Sequence, residues 1–176
     1  MNEPGADNAD WLHAAHQRHG PALSRYAASI VGDADRARDV VQDVFLRLWR
    51  ENPARLNGCL VEWLFTVCRH RALDVQRKER RMTALTEVEL DTRPAAGPAP
   101  DAQAEAGETA GRALRLLAAL PENQREVVRL KFQAGLSYAE ISRVTGHSVS
   151  NVGFLLHTAL KTLRRQMQRE EKGNHE

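Results

Sequence analysis

One hundred and seventy-six residues suffice for one ordinary domain or two small ones, at the usual scale of about 100–200 residues per domain. Hydrophobic residues make up 42% and charged residues 27%, a soluble globular mix, and 25 Lys/Arg against 23 Asp/Glu leave a formal net charge of +2. No window reaches the ~20 apolar residues of a membrane span, and no charged-then-apolar leader opens the chain, so an intracellular protein is expected.

That near-neutral total is a sum over segments of opposite sign. Residues 10–82 hold thirteen Arg/Lys against nine Asp/Glu, and residues 112–172 eleven against five. Between them, residues 83–111 carry six acids and one base, Arg93, with Pro94, Pro98 and Pro100. That stretch has few side chains larger than alanine to bury, so it cannot offset the entropy of ordering. The composition predicts two basic domains joined by a flexible acidic linker.

The first domain, 10–82, reads as all-helical. A helix over Trp11–Val31 is marked by Trp11, Leu12, Ala15, Leu23, Tyr26, Ala27 and Ile30, with Gly20-Pro21 as a joint. Gly32 stops it and Asp33 offers the N-cap of the next. In that next helix Val40, Val41, Val44, Phe45, Leu48 and Trp49 form the apolar repeat, opposed by Asp39, Gln42, Asp43 and Arg47. Asn52-Pro53 ends it and Asn57-Gly58 marks a turn. A third helix, from Leu60 to about Arg81, begins apolar and finishes basic.

The second domain, 112–170, begins with Leu114, Leu116, Leu117 and Leu120. Pro121 suits the first turn of a helix that continues through Val127, Val128, Leu130 and Phe132 to Gly135. Ser137-Tyr138-Ala139-Glu140 is a capping box for a short helix ending at Thr145-Gly146, and Ser148 caps the last helix. A short helix, a glycine-containing turn and a longer capped helix make a helix-turn-helix pattern. Ile141, Val144, Val149, Val152, Leu156 and Leu163 are expected to pack. Ser148, Ser150, Asn151, Phe154, His157, Thr158 and Lys161 then face outward, available to a major groove. An ordinary helical hairpin is the plain alternative.

The basic run Arg69, Arg71, Arg77, Lys78, Arg80, Arg81 suits a solvated helix end. With Trp63 and Phe65 just upstream, it also suits a single strand whose bases stack or flip out. His13, His16 and His19 step by three, which spreads the rings, so no metal is expected there. Cys59 and Cys68 form no Cys-x-x-Cys pair; Cys68 reads as a buried helix residue and Cys59 as a loop thiol. No hydrolase or phosphate-loop motif occurs, so neither catalysis, a cofactor nor a small-molecule substrate is expected.

The run from Asp33 to Trp49, Trp63-Leu-Phe-Thr-Val67 and Arg69-His-Arg-Ala-Leu-Asp74 closely resemble domain 2 of extracytoplasmic-function sigma factors of bacterial RNA polymerase. Leu120-Pro-Glu-Asn-Gln-Arg-Glu-Val127, Gly135-Leu-Ser-Tyr-Ala-Glu-Ile141 and the Gly146 turn resemble their domain 4. The two matches, in the family's order, cover most of residues 10–165. The resemblance implies a promoter-specificity subunit. Asp39, Gln42, Asp43 and Arg47 would meet the clamp helices of core polymerase, while Val41, Phe45 and Leu48 pack the core. Loop 52–60, with Asn57, would cup a base flipped from the minus-ten element, and Arg69, His70, Arg71, Asp74 and Arg77 would read its neighbours. The helix from Ser148 to Lys161 would enter the minus-thirty-five element, domain 4 would touch the polymerase flap, and the linker would thread toward the RNA exit path. An anti-sigma partner, often membrane-anchored, is a further implication of the family, and with it retention of a cytoplasmic protein at the inner membrane face.

The chain departs from the family at His70, where Asn is common, and in its last helix. There Gly153, Phe154, Leu155, Thr158, Leu160 and Thr162 replace a basic series, predicting a shallow salt dependence. A Phe154-Leu155 face would suit a thymine methyl or a protein partner. Two other readings of the same residues stay open: a regulator binding duplex DNA through the helix-turn-helix alone, and an interaction module that binds a regulator.

Overall fold

The computed structural model describes residues 6–86 and 106–173, among which lie seven α-helices, one 3-10 turn and no strand. Residues 87–105, most of the expected linker, lie outside the described residues. The chain divides into two compact units, Met1–Ala96 and Gly97–Glu176.

In the first unit α1 (Ala6–Val31) packs on α2 (Ala34–Leu48) and α3 (Leu60–Thr86), with a 3-10 turn at Pro53–Arg55 between the last two. Contrary to the joint expected at Gly20-Pro21, α1 runs unbroken through Pro21. Proline removes one backbone donor, but Gly20 has no Cβ for the pyrrolidine ring to strike. Leu23, Tyr26 and Ala27 just beyond are buried and hold the second half of the helix to the core. Val40, Val44 and Leu48 of α2 and Leu64, Phe65, Cys68 and Ala72 of α3 are buried in the same unit. Tyr26 and Phe65 pack edge to face at 5.4 Å. The Asp33 cap forms as expected, its carboxylate accepting from the Arg36 amide at 2.8 Å.

Two ion pairs bridge α2 and α3. Arg36 meets Glu79, and one turn-pair further along, Arg71 Nε donates to Asp43 Oδ2 at 2.6 Å. Their opposite polarity pins the basic half of α3 along α2 in one register. Gln76 adds a bond from its side-chain amide to the Ile30 carbonyl at 2.8 Å.

The second unit comprises α4 (Ala106–Ala118), α5 (Glu122–Phe132), α6 (Tyr138–Thr145) and α7 (Val149–Gly173). Arg125 reaches back from α5 and donates to the Ala118 and Leu120 carbonyls at 2.9 and 2.8 Å, satisfying the exposed end of α4. Both halves of the Ser137–Glu140 capping box form, and these bonds to Ser137 hold the Glu140 carboxyl below its usual range. Gly146 ends α6 at φ +78°, a left-handed turn that a side chain would strain. The Ser142 hydroxyl donates to the His147 carbonyl at 2.6 Å and ties that turn to α6.

Helix α7 buries Val152 and Leu156 as expected but departs from the expected faces at two positions. Val149, expected to pack, is 48% exposed, while Leu155, expected on the outer face, is buried with Val152, Leu156 and Ala159. Leu155 lies three residues after Val152 and four before Ala159, so it shares their arc. Val149 opens the helix to one side of that arc.

Candidate nucleic-acid interface

The outward ridge of α2 consists of Asp39, Gln42, Leu46 and Trp49, spaced three, four and three residues apart and all exposed. Arg47 is exposed beside them; Asp43 is half-buried because it turns toward Arg71. Val41, Phe45 and Leu48 are buried as expected, with the His16 ring edge-on to Phe45 at 4.7 Å. Trp49, grouped in sequence with the buried repeat, is instead 43% exposed: it follows Leu48, the last helical residue, as the C-cap. Leu46 escaped the sequence reading altogether. It is 55% exposed, and its signal was an apolar side chain out of phase with Val40, Val44 and Leu48.

The loop after α2 is built from local rules. The Asn52 side chain accepts from the Ala54 amide at 3.0 Å, Leu56 is buried as its anchor, and Gly58 supplies φ +81°. These turns enclose a groove of about 420 Å³ lined by Trp11, Pro53, Ala54, Leu56, Asn57, Gly58 and Leu60. Trp11 is half-buried and forms its far wall, a role invisible in sequence because α1 and the loop are distant in the chain. A second groove of about 570 Å³ adjoins it, sharing Trp11 and Leu60 and adding Ala14, Ala15, Gln17, Arg18 and His19. Burial, and then the charge of Arg18, lower the His19 pKa, which favours the neutral ring.

On α3, His70, Asp74 and Arg77 are exposed and Arg69 and Arg71 half-buried. Arg77 pairs with Asp74 at 2.5 Å, while Lys78, Arg80 and Arg81 continue the basic surface. Phe65 does not join it. At 1% exposure it lies inside the bundle against Tyr26, so of the two aromatics expected beside the basic run only half-buried Trp63 reaches the surface.

The helix-turn-helix presents Ser150, Asn151, Phe154, His157 and Lys161 to solvent, with Thr158 half-buried. Phe154 is 66% exposed. The Ser148 hydroxyl accepts from the Asn151 amide at 3.2 Å and caps α7 as expected. Exposed Arg164, Arg165 and Arg169 extend the basic surface beyond the span read from sequence. A Cβ at Gly153 would sit 3.6 Å from the Tyr138 ring, an ordinary contact, so packing within the unit does not demand glycine there.

His13 bonds Gln17, and among the described residues no group of three metal-ligating side chains comes together. Cys68 is fully buried, its thiol pushed up to about 12 by desolvation, whereas Cys59 is half-buried at the loop. A thiol reagent at pH 8 is expected to modify Cys59 alone, with Cys68 reacting only after denaturation, because the thiolate is the attacking species. Mass spectrometry of the alkylated protein checks it; labelling of Cys68 in the folded chain would contradict this packing.

A groove large enough for a nucleobase at the start of a helix that ends basic, and a capped helix-turn-helix in a second unit, define a DNA-binding protein of transcription. Residues 15–82 match the family Sigma-70 region 2, and residues 110–163 match Sigma-70, region 4. The chain is 32% identical over 173 residues to the ECF RNA polymerase sigma factor SigL of Mycobacterium tuberculosis, covering 93% of this chain and 92% of that one. It is 30% identical over 145 residues to the sigma factor SigK of Mycobacterium bovis, covering 77% and 74%. Among solved structures it is similar to CnrH in complex with the cytosolic domain of CnrY, at TM-score 0.61 and 25% identity over 94% of this chain and 91% of that one. It shares its fold with the sigma factor RpoE, solved in complex with the anti-sigma factor NepR from Bartonella quintana, at TM-score 0.67 and 23% identity over 89% and 96%. The chain belongs to the extracytoplasmic-function sigma factors. It is a transcription initiation factor that binds RNA polymerase and promoter DNA, and it is not an enzyme.

Proposed function

We propose that residues 10–82 dock on core polymerase and hold the minus-ten element, that 83–111 connect, and that 112–170 read the minus-thirty-five element. The observation that carries this reading is the groove formed by the 52–60 loop and Trp11 at the start of α3, the helix whose later turns carry the exposed basic residues. Unstacking a base costs a few kcal/mol, and a pocket that captures the extruded base stabilises the open state. Asn57 lines that pocket, and Arg69, His70, Arg71, Asp74 and Arg77 hold the neighbouring nucleotides. Asp39, Gln42, Asp43 and Arg47 form the polymerase face together with Leu46 and Trp49. Run-off transcription with core polymerase and cognate promoter DNA tests the whole assignment. A promoter-dependent transcript is expected, and its absence on every cognate template would overturn it.

In the second unit Ser148, Ser150, Asn151, Phe154, His157 and Lys161 form the reading face. Only one of these, Lys161, is a fixed cation. Lys161→Ala is expected to weaken minus-thirty-five binding uniformly across sequences and to reduce the salt slope by about one. Asn151→Ala is expected to cost about tenfold at one base position while leaving that slope unchanged. Binding titrations across a salt series separate the two effects; a Lys161→Ala protein with the parental slope would place this residue off the DNA.

An anti-sigma factor controls the protein in this reading, in keeping with the sigma factor RpoE, solved in complex with the anti-sigma factor NepR, and with CnrH, solved in complex with the cytosolic domain of CnrY. No helix among the described residues is long and apolar enough to cross a membrane. As a polymerase subunit it works in the cytoplasm, and a membrane-anchored anti-sigma factor would hold the inactive protein at the inner membrane face.

A further inference from the structure

We infer that Phe154 reads a thymine: its ring seats against the C5 methyl of one thymine in the major groove of the minus-thirty-five element and sets the base preference at that position. The inference rests on the reading that the first turns of α7 enter that element. Folding has no use for this ring. Phe154 is 66% exposed, whereas its neighbour Leu155 is buried with Val152, Leu156 and Ala159, so Phe154 alone of the pair faces outward.

The surroundings of the ring favour DNA over a protein partner. At about 100° per residue, the helical positions within about 60° of Phe154 around the axis are all polar. Ser150 and Asn151 lie a turn before it, His157 and Thr158 a turn after, and Lys161 one turn further. The exposed apolar side chains nearest along the helix, Val149 and Leu160, stand about 140° and 120° away. No second exposed apolar group therefore shares its stripe, as Trp49 shares that of Leu46 on α2. A protein partner is held by a contiguous apolar patch. The major groove instead offers a lone ring one apolar target, the thymine methyl, among base edges that otherwise present hydrogen-bonding groups. The polar neighbours narrow down which thymine. Asn151 suits an adenine edge, and Phe154 stands three residues along α7 from it, about 4.5 Å of helix rise. Bases of one strand follow each other at about 3.4 Å, so the thymine lies one or two base pairs from the pair that Asn151 contacts.

The test removes the methyl alone. Holoenzyme assembled from core polymerase and the full chain is titrated with cognate promoter duplexes in which each thymine of the minus-thirty-five element, on either strand, is replaced singly by deoxyuridine. Every hydrogen-bonding group stays in place. With the parental protein, one position is expected to lose about fourfold in affinity, the effect of burying one methyl group, and the others nothing. Phe154→Ala is expected to bind the thymine duplex about as weakly as the parental protein binds the uracil duplex. It should lose nothing further at that position, because ring and methyl act through one contact. Phe154→Leu keeps an apolar side chain and should retain most of the discrimination, and neither substitution should alter helical content, since no core contact is removed. Indifference of the parental protein to uracil at every position would overturn the inference, as would undiminished discrimination in Phe154→Ala. Weakened affinity of Phe154→Ala for core polymerase without DNA would also overturn it, by putting the ring on a protein surface. The two readings fail separately. If transversions throughout the element and Asn151→Ala all leave affinity unchanged, α7 does not read the minus-thirty-five element and the thymine contact falls with it. If they weaken binding while uracil does not, the Phe154 inference alone fails.

Discussion

Leu46→Asp is expected to lower affinity for core RNA polymerase about 30-fold or more while leaving the helical content and thermal midpoint of the free protein close to parental. Leu46 stands in the middle of the α2 ridge, between Gln42 and Trp49, and is more than half exposed in the free chain. Substitution there removes no core contact, so the fold should tolerate it within a few tenths of a kcal/mol. Binding is a different matter. A large apolar side chain ringed by polar neighbours fits the pattern of an interface anchor, whose removal costs about 2 kcal/mol or more. A carboxylate at that position adds the penalty of a buried, unpaired charge. Competition titration of labelled protein against core polymerase reads the effect. A change below threefold would mean that the ridge is not the docking surface, and that Asp39 and Gln42 act elsewhere.

Arg71→Ala is expected to slow open-complex formation about tenfold at saturating polymerase, Asp43→Ala nearly as much, and the double substitution no more than either. Resemblance assigns these residues to different partners, polymerase for Asp43 and DNA for Arg71. Yet the Asp43 carboxylate accepts from Arg71 Nε at 2.6 Å, with both side chains about a third exposed. A pair this accessible adds little to stability, about 0–1 kcal/mol. Its larger effect is to fix the plane of a guanidinium that otherwise samples many rotamers. Residues that act through one contact give strongly non-additive effects, and a double-mutant cycle measures this directly. Polymerase affinity, measured separately, keeps the two roles of Asp43 apart. Simple additivity in open-complex formation would assign Asp43 to the docking face alone.

The features that sequence reading located correctly are those governed by a few neighbouring residues. Asp33, the Ser137–Glu140 box and Ser148 cap helices with side chains that reach only three residues along the chain. Gly58 and Gly146 occupy left-handed turns that other residues strain to adopt. Errors fell where several helices meet. Gly20-Pro21 reads as a joint because the local cost of proline is real, but burial of the helix beyond it outweighs that cost. Phe65 and Trp63 are equally aromatic and two positions apart, so nothing in composition says which one points inward.

The amino-acid sequence by itself determined the helical class, the order of the helices, most of their caps and the segment-by-segment balance of charge. Hydrophobic period, turn chemistry and charge are properties of short windows, and each acts without knowledge of the fold. Only the tertiary structure decided how each helix is rotated about its axis. That rotation buried Leu155 and Phe65, exposed Leu46, Trp49 and Val149, joined Asp43 to Arg71, and brought Trp11 against the 52–60 loop. Phase depends on close packing against partners remote in the chain, where a shift of one residue turns a side chain by about 100°. The surfaces proposed for DNA and polymerase are therefore outcomes of packing.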